Sequence, residues 1–156
     1  MTQEDMTQLV ETYSPMLLRA ALTRLSTPAD AEDAVQEVFL KVLDRRPRFR
    51  DGEHAKAWLI RATLNQASDL RRRRRDDAPL DEALTAQADR TEERLDLLAA
   101  VRALPPAYSA VIHLYYYEGY SIKEIARLLA LPSPTVGTRL ARGRQRLRQL
   151  LKEDIR

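Results

Sequence analysis

The chain has no cysteine, which excludes disulfides and thiolate metal sites and fits a cytoplasmic setting. It has four glycines in 156 residues, too few for a β-rich fold built on tight turns. No apolar run approaches the ~20 residues that span a bilayer. The opening stretch, residues 1–14, is acidic and polar, so no secretory signal is expected there. Histidine is scarce as well. His54 and His113 stand apart, and no carboxylates cluster at metal-ligand spacing. That argues against a nuclease or recombinase and leaves no catalytic residue, metal site or cofactor to assign. What is abundant is Ala, Leu, Arg and Glu, a helix-forming composition. The length suits one ordinary domain or two small ones.

The net charge of +3 conceals a strong partition. Residues 1–44 carry three basic and eight acidic side chains, and residues 45–75 carry eleven and three. Residues 76–96 carry two and eight, and residues 121–156 carry nine and three. Two basic blocks separated by an acidic one imply two polyanion-facing surfaces on two modules.

Helix starts are written in the sequence. Ser14-Pro15, Thr27-Pro28 and Ser133-Pro134 each set a capping hydroxyl before a proline at the first helical position. Ser121 and Glu124 form a capping box. The spacing predicts helices over 15–25, with a short turn of helix at 3–12, over 28–44, and from about 53 into the run Arg71–Arg75. Val35, Val38, Phe39, Val42 and Leu43 belong to the apolar stripe of the second. Residues 76–91, with Pro79, read as a linker. A second module follows, with helices at 92–103, 106–117, 121–130 and 134–151 and Gly119 ending the second of these. The fold class is all-α: two small helical domains, 1–75 and 92–156, joined by an acidic linker.

Residues 121–151 have the pattern of a helix-turn-helix. Ile122, Ile125, Ala126 and Leu129 form the inner face of its first helix, and Leu131-Pro132-Ser133 the turn. Val136, Leu140, Gly143, Leu147 and Leu150 face inward from its second. Thr135, Thr138, Arg139, Arg142 and Arg146 then face outward, a set able to bind guanine edges and phosphates in a major groove. Gly143 on the inner stripe implies close helix packing, and Gly137 lies nearer the outer side. Upstream, Arg45, Arg46, Arg48 and Arg50 lie beside Phe49 and Trp58. Basic and aromatic groups interleaved in this way suit unpaired bases, although Trp58 itself is expected in the core.

With these residues in view, "DAEDAVQEVFLKVL" (30–43) and "AWLIRATLNQASDLRRRR" (57–74) resemble region 2 of an extracytoplasmic-function (ECF) RNA polymerase sigma factor. "LPPAYSAVIHLYYYEGYSIKEIARLLALPSPTVGTRLARGRQRLRQLL" (104–151) resembles region 4. The resemblance implies a promoter-specificity subunit and no enzyme. Asp33, Gln36 and Glu37 would dock on the β′ clamp helices of core polymerase. Asn65, Asp69, Arg72 and Arg73 would read and open the −10 element, beside a base flipped out at "RFRDGEH". Thr135, Thr138, Arg139, Arg142 and Arg144 would read the −35 element, while the same domain holds the β flap. An anti-sigma factor is a further partner the resemblance implies, with no membrane insertion. Where the family commonly has glycine and lysine in "P-x-G-T-V-K-S-R-L", this chain has Pro134 and Gly137. The competing reading from the residues alone is a stand-alone helix-turn-helix regulator. It leaves the acidic helix 30–43 without a task.

Overall fold

The computed structural model describes residues 2–77 and 97–155, and among these there are helices and no strand. The chain divides into two compact units, Met1–Arg73 and Arg74–Arg156. Most of the linker expected at 76–91, and the first turn of the helix expected at 92–103, lie outside the described residues.

The first unit is a three-helix bundle: α1 (Gln3–Leu22), α2 (Pro28–Arg45) and α3 (Gly52–Asp77). The sequence pattern placed the start of α1 wrongly. Ser14-Pro15 is no cap; Pro15 lies inside one continuous helix. The helix begins instead at Thr2, whose hydroxyl accepts from Asp5 N–H (3.1 Å) while Thr2 N–H donates to the Asp5 carboxylate (2.9 Å). Proline removes one helical hydrogen bond. Burial of Met16, Leu17, Ala20 and Ala21 against the bundle carries the helix through that loss. Leu25 lies past the helix end, in the turn before Thr27, and is still buried.

Thr27 caps α2 as the sequence implied, accepting from Asp30 N–H at 3.2 Å with Pro28 in the first turn. Ala31, Ala34, Val35, Val38, Phe39 and Val42 are buried along one face. Leu43 is a correction: it is 53% exposed. Its step of one residue from Val42 rotates it about 100° off that face. From α3, Leu59, Ile60 and Leu64 fill the centre. Burying each such side chain is worth about 1.5–3 kcal/mol. Polar ties fix the register of α3. Arg24 donates to Leu64 O (3.2 Å) and to the Ser68 hydroxyl, Lys41 Nζ to Gln66 Oε1 (2.8 Å), and the Tyr13 hydroxyl to Gly52 O (3.3 Å).

The second unit is built on its last helix. It comprises α4 (Leu97–Ala103), α5 (Pro106–Ile112), α6 (Ile122–Leu129) and α7 (Ser133–Ile155), with α4, α5 and α6 each packed on α7. The helix expected over 106–117 changes character at His113: residues His113–Tyr117 form a π turn. His113 stacks on Tyr117 (5.5 Å between centroids) and its Nε2 lies 3.2 Å from Glu118 Oε1. Gly119, at φ +74°, then reverses the chain, a conformation that a side chain disfavours. Ser121 and Glu124 form the capping box at the start of α6.

Two further expectations are corrected here. Ile122 is exposed and Leu128 takes its place in the core beside Ile125 and Ala126. Ser133 is the first residue of α7 rather than its cap, because Val136 N–H already donates to Pro132 O at 3.2 Å. Pro134 remains in the first turn, where its missing N–H costs nothing.

Candidate nucleic-acid and polymerase interface

Three polar stripes stand out, and each is laid down by helical periodicity. On α2, Asp33, Gln36 and Glu37 are all exposed, opposite the buried Ala34, Val35 and Val38. Leu40 completes the same stripe, three residues beyond Glu37 and seven beyond Asp33, and is 51% exposed. The outward face of α2 thus combines two carboxylates, an amide and one apolar side chain. Leu40 was missed in the sequence, although its spacing from Asp33 placed it there.

The second stripe runs along α3. Arg61, Asn65 and Arg72 are exposed and Asp69 is half-buried. Steps of four, four and three bring them onto one face, and Arg73 lies at its edge. Asp69 is ion-paired with Arg72. A carboxylate repels phosphate, and Asp69 is occupied with the Arg72 guanidinium. At the N-terminal end of this face lie His54 and Trp58. Trp58 is only half-buried rather than in the core, and it packs edge-on to Phe49 with ring centroids 5.7 Å apart.

The third stripe is on α7. Val136, Leu140, Gly143 and Leu147 are buried, as their spacing required, and Leu150 is half-buried. Thr138 and Arg142 are exposed on the opposite side, with Thr135 and Arg139 half-buried on its flank. These four form a continuous face. Arg146, exposed on the same side, packs its guanidinium over the Tyr108 ring, 5.1 Å from the centroid. Arg144 does not join them. It sits one helical turn from Leu140, on the packed side, and donates to the Tyr116 hydroxyl at 3.0 Å. It lines an apolar hollow of about 290 Å³ with Tyr117, Leu147 and Leu151. Gly143 closes α7 onto α5: a Cβ there would lie 2.9 Å from Ile112 Cγ1. At Gly137 an added Cβ would meet nothing within 4 Å.

The geometry therefore offers an acidic, partly apolar face, a basic and aromatic face, and a helix-turn-helix whose second helix presents hydroxyls and arginines. Comparison with known proteins bears on all three. Residues 9–76 match sigma-70 region 2, and residues 94–147 match sigma-70 region 4. The ECF RNA polymerase sigma factor SigE of Mycolicibacterium smegmatis is 33% identical over 92% of this chain, which spans 60% of that protein. The ECF RNA polymerase sigma factor SigM of Mycobacterium tuberculosis is 34% identical over 92% of this chain and 76% of its own. Among solved structures, the sigma factor RpoE in complex with the anti-sigma factor NepR from Bartonella quintana superposes with a TM-score of 0.71. It is 26% identical, covering 96% of this chain and 98% of that one. CnrH, solved in complex with the cytosolic domain of CnrY, gives 0.69 at 27% identity, covering 98% and 91%.

Proposed function

The chain belongs to the ECF RNA polymerase sigma factors of the sigma-70 family, and on that premise we propose that it binds core RNA polymerase and directs it to specific promoters. The observation that carries this reading is the pairing of opposite surfaces within the first unit. The Asp33–Gln36–Glu37–Leu40 stripe is suited to a basic and apolar protein surface, and the α3 stripe to a nucleic-acid strand. A stand-alone DNA reader has use for the second kind of surface and none for the first.

The residue roles follow. Asp33, Gln36 and Glu37 dock on the β′ clamp helices, with Leu40 as the apolar contact among them. Asn65, Arg72 and Arg73 meet the −10 element, and Asp69 orients Arg72. Thr135, Thr138, Arg139 and Arg142 read the −35 element from α7, and Arg144 serves packing instead. Residues 1–75 and 92–156 act as the two promoter-binding domains, with 76–91 as the linker, and the second also holds the β flap. Because a solved relative of this fold is a sigma factor in complex with an anti-sigma factor, we include an anti-sigma factor among the partners of this chain. Among the described residues no helix is long and apolar enough to cross a membrane. Work on core RNA polymerase would place the protein in the cytoplasm.

The test is reconstitution. Core polymerase with this chain is used to select binders from a random duplex pool, and the recovered sequences are transcribed in vitro. Enrichment of paired −10 and −35 elements, with start sites that depend on the added chain, is the expected result. Enrichment by the chain without core would favour the stand-alone regulator.

A further inference from the structure

The loop between α2 and α3 is fastened from one side by a single residue. Arg50 N–H donates to His54 Nδ1 at 3.0 Å, and His54 N–H donates to Asp51 Oδ1 at 2.8 Å. The imidazole edge meets the Phe49 ring at 5.7 Å and 85°, and Phe49 in turn meets Trp58. One side chain thus fixes both the backbone of the loop and the pose of its aromatic residue. For Nδ1 to accept, the ring proton of neutral His54 must sit on Nε2.

The position of this cluster gives the arrangement its meaning. From His54 the steps to Trp58, Arg61, Asn65, Asp69 and Arg72 are four, three, four, four and three residues. With about 100° per residue, all six fall on one side of α3. The aromatic cluster is therefore the N-terminal end of the basic and amide stripe, and it is continuous with it. Unpaired strands are held by such combinations, in which an aromatic face stacks a base while cationic groups follow the backbone. A stacking surface captures a base well only when its pose is set beforehand, since ordering it on binding lowers affinity.

We infer that His54 is a positioning residue for strand opening: its Nδ1 holds the Arg50 backbone, and with it Phe49, in the pose that receives an unpaired −10 base. The inference rests on the proposed sigma-factor reading. His54 itself need not touch DNA.

Three variants separate its two contacts. His54→Asn keeps an acceptor on the γ-carbon and loses the ring. His54→Phe keeps a ring edge for Phe49 and loses the acceptor. His54→Ala loses both. Each is assembled with core polymerase and titrated with two probes from the selected promoter. One is the single-stranded −10 oligonucleotide, and the other a duplex bearing the −35 element alone. Core affinity, read through α2 of the same unit, reports that the bundle is folded.

The expected result is a loss of single-strand affinity of about fivefold for Ala and Phe, the size of one uncompensated hydrogen bond. Asn stays within about twofold of the parent, and core and −35 binding are unchanged throughout. Phe matching the parent while Asn falls with Ala would overturn the inference, as would equal single-strand binding by all four proteins. A parent holoenzyme that binds neither probe would overturn the sigma-factor reading itself.

Discussion

Gly143 in α7 stands so close to Ile112 in α5 that an added Cβ would lie 2.9 Å from Ile112 Cγ1 and 3.2 Å from its Cδ1. The two helices meet through this missing side chain, which also brings Arg146 over the Tyr108 ring. Gly143→Ala is therefore expected to destabilise the second unit by about 1–3 kcal/mol, as overpacking does, although alanine is the better helix former. Gly137→Ala, in open space on the same helix, should stabilise it by up to about 1 kcal/mol. Urea unfolding of the full chain followed by circular dichroism checks both. Equal effects at the two glycines would contradict the packing described.

The three arginines of α7 named for the −35 element should separate. Arg139→Ala and Arg142→Ala are each expected to cost about 1–3 kcal/mol of holoenzyme affinity for a −35 duplex if they contact bases. Arg144→Ala should leave that affinity near the parent's, because its guanidinium is engaged with Tyr116. Fluorescence anisotropy with a labelled duplex measures all three. A loss at Arg144 as large as at Arg142 would return it to the reading face.

The N-terminal cap of α1 predicts a pH dependence. Asp5 is held below its usual carboxylate value of 3.8, first by the Thr2 backbone N–H and then by the Thr2 hydroxyl. A depressed carboxylate adds stability above its unfolded value and loses it as pH falls through the folded one. Parent and Asp5→Asn should thus differ in α1 stability at neutral pH and converge below about pH 4. Amide exchange in the first turn of α1 reads the difference. A gap that widens in acid would contradict the cap.

Much of the fold could be read from the residues because local signals agreed with tertiary packing. Thr27-Pro28 and Ser121–Glu124 start helices where they were expected to, and the stripes of α2 and α7 bury most of the residues that their spacing selects, with Leu43 exposed and Leu150 half-buried. The misreadings have physical causes. Pro15 reads as a helix start, but its helix is set by Thr2 upstream and by burial downstream. The π turn at His113–Tyr117, with His113 stacked on Tyr117, leaves no mark in the helical periodicity, whereas Gly119 was legible as the residue that ends the segment. Arg144, grouped with the −35 residues through the resemblance, lies four residues from Leu140 and against Tyr116. Leu43 follows Val42 directly and so turns off the buried face, and steps of three and four from Glu37 and Gln36 put Leu40, which the reading of the stripe passed over, on the polar face. The fastening of the Phe49 loop by His54 had no sequence signal beyond a histidine four residues after Arg50.

The most direct test of the central claim is binding of the purified chain to core RNA polymerase, measured beside the double variant Asp33→Lys, Glu37→Lys. The account predicts tight binding by the parent and a loss of at least about tenfold in the variant, since both carboxylates would face the partner as cations. The variant should remain folded, because both positions are exposed on α2. Parent and variant binding core alike would contradict the docking face. A parent that ignores core and binds duplex DNA alone would contradict the account as a whole.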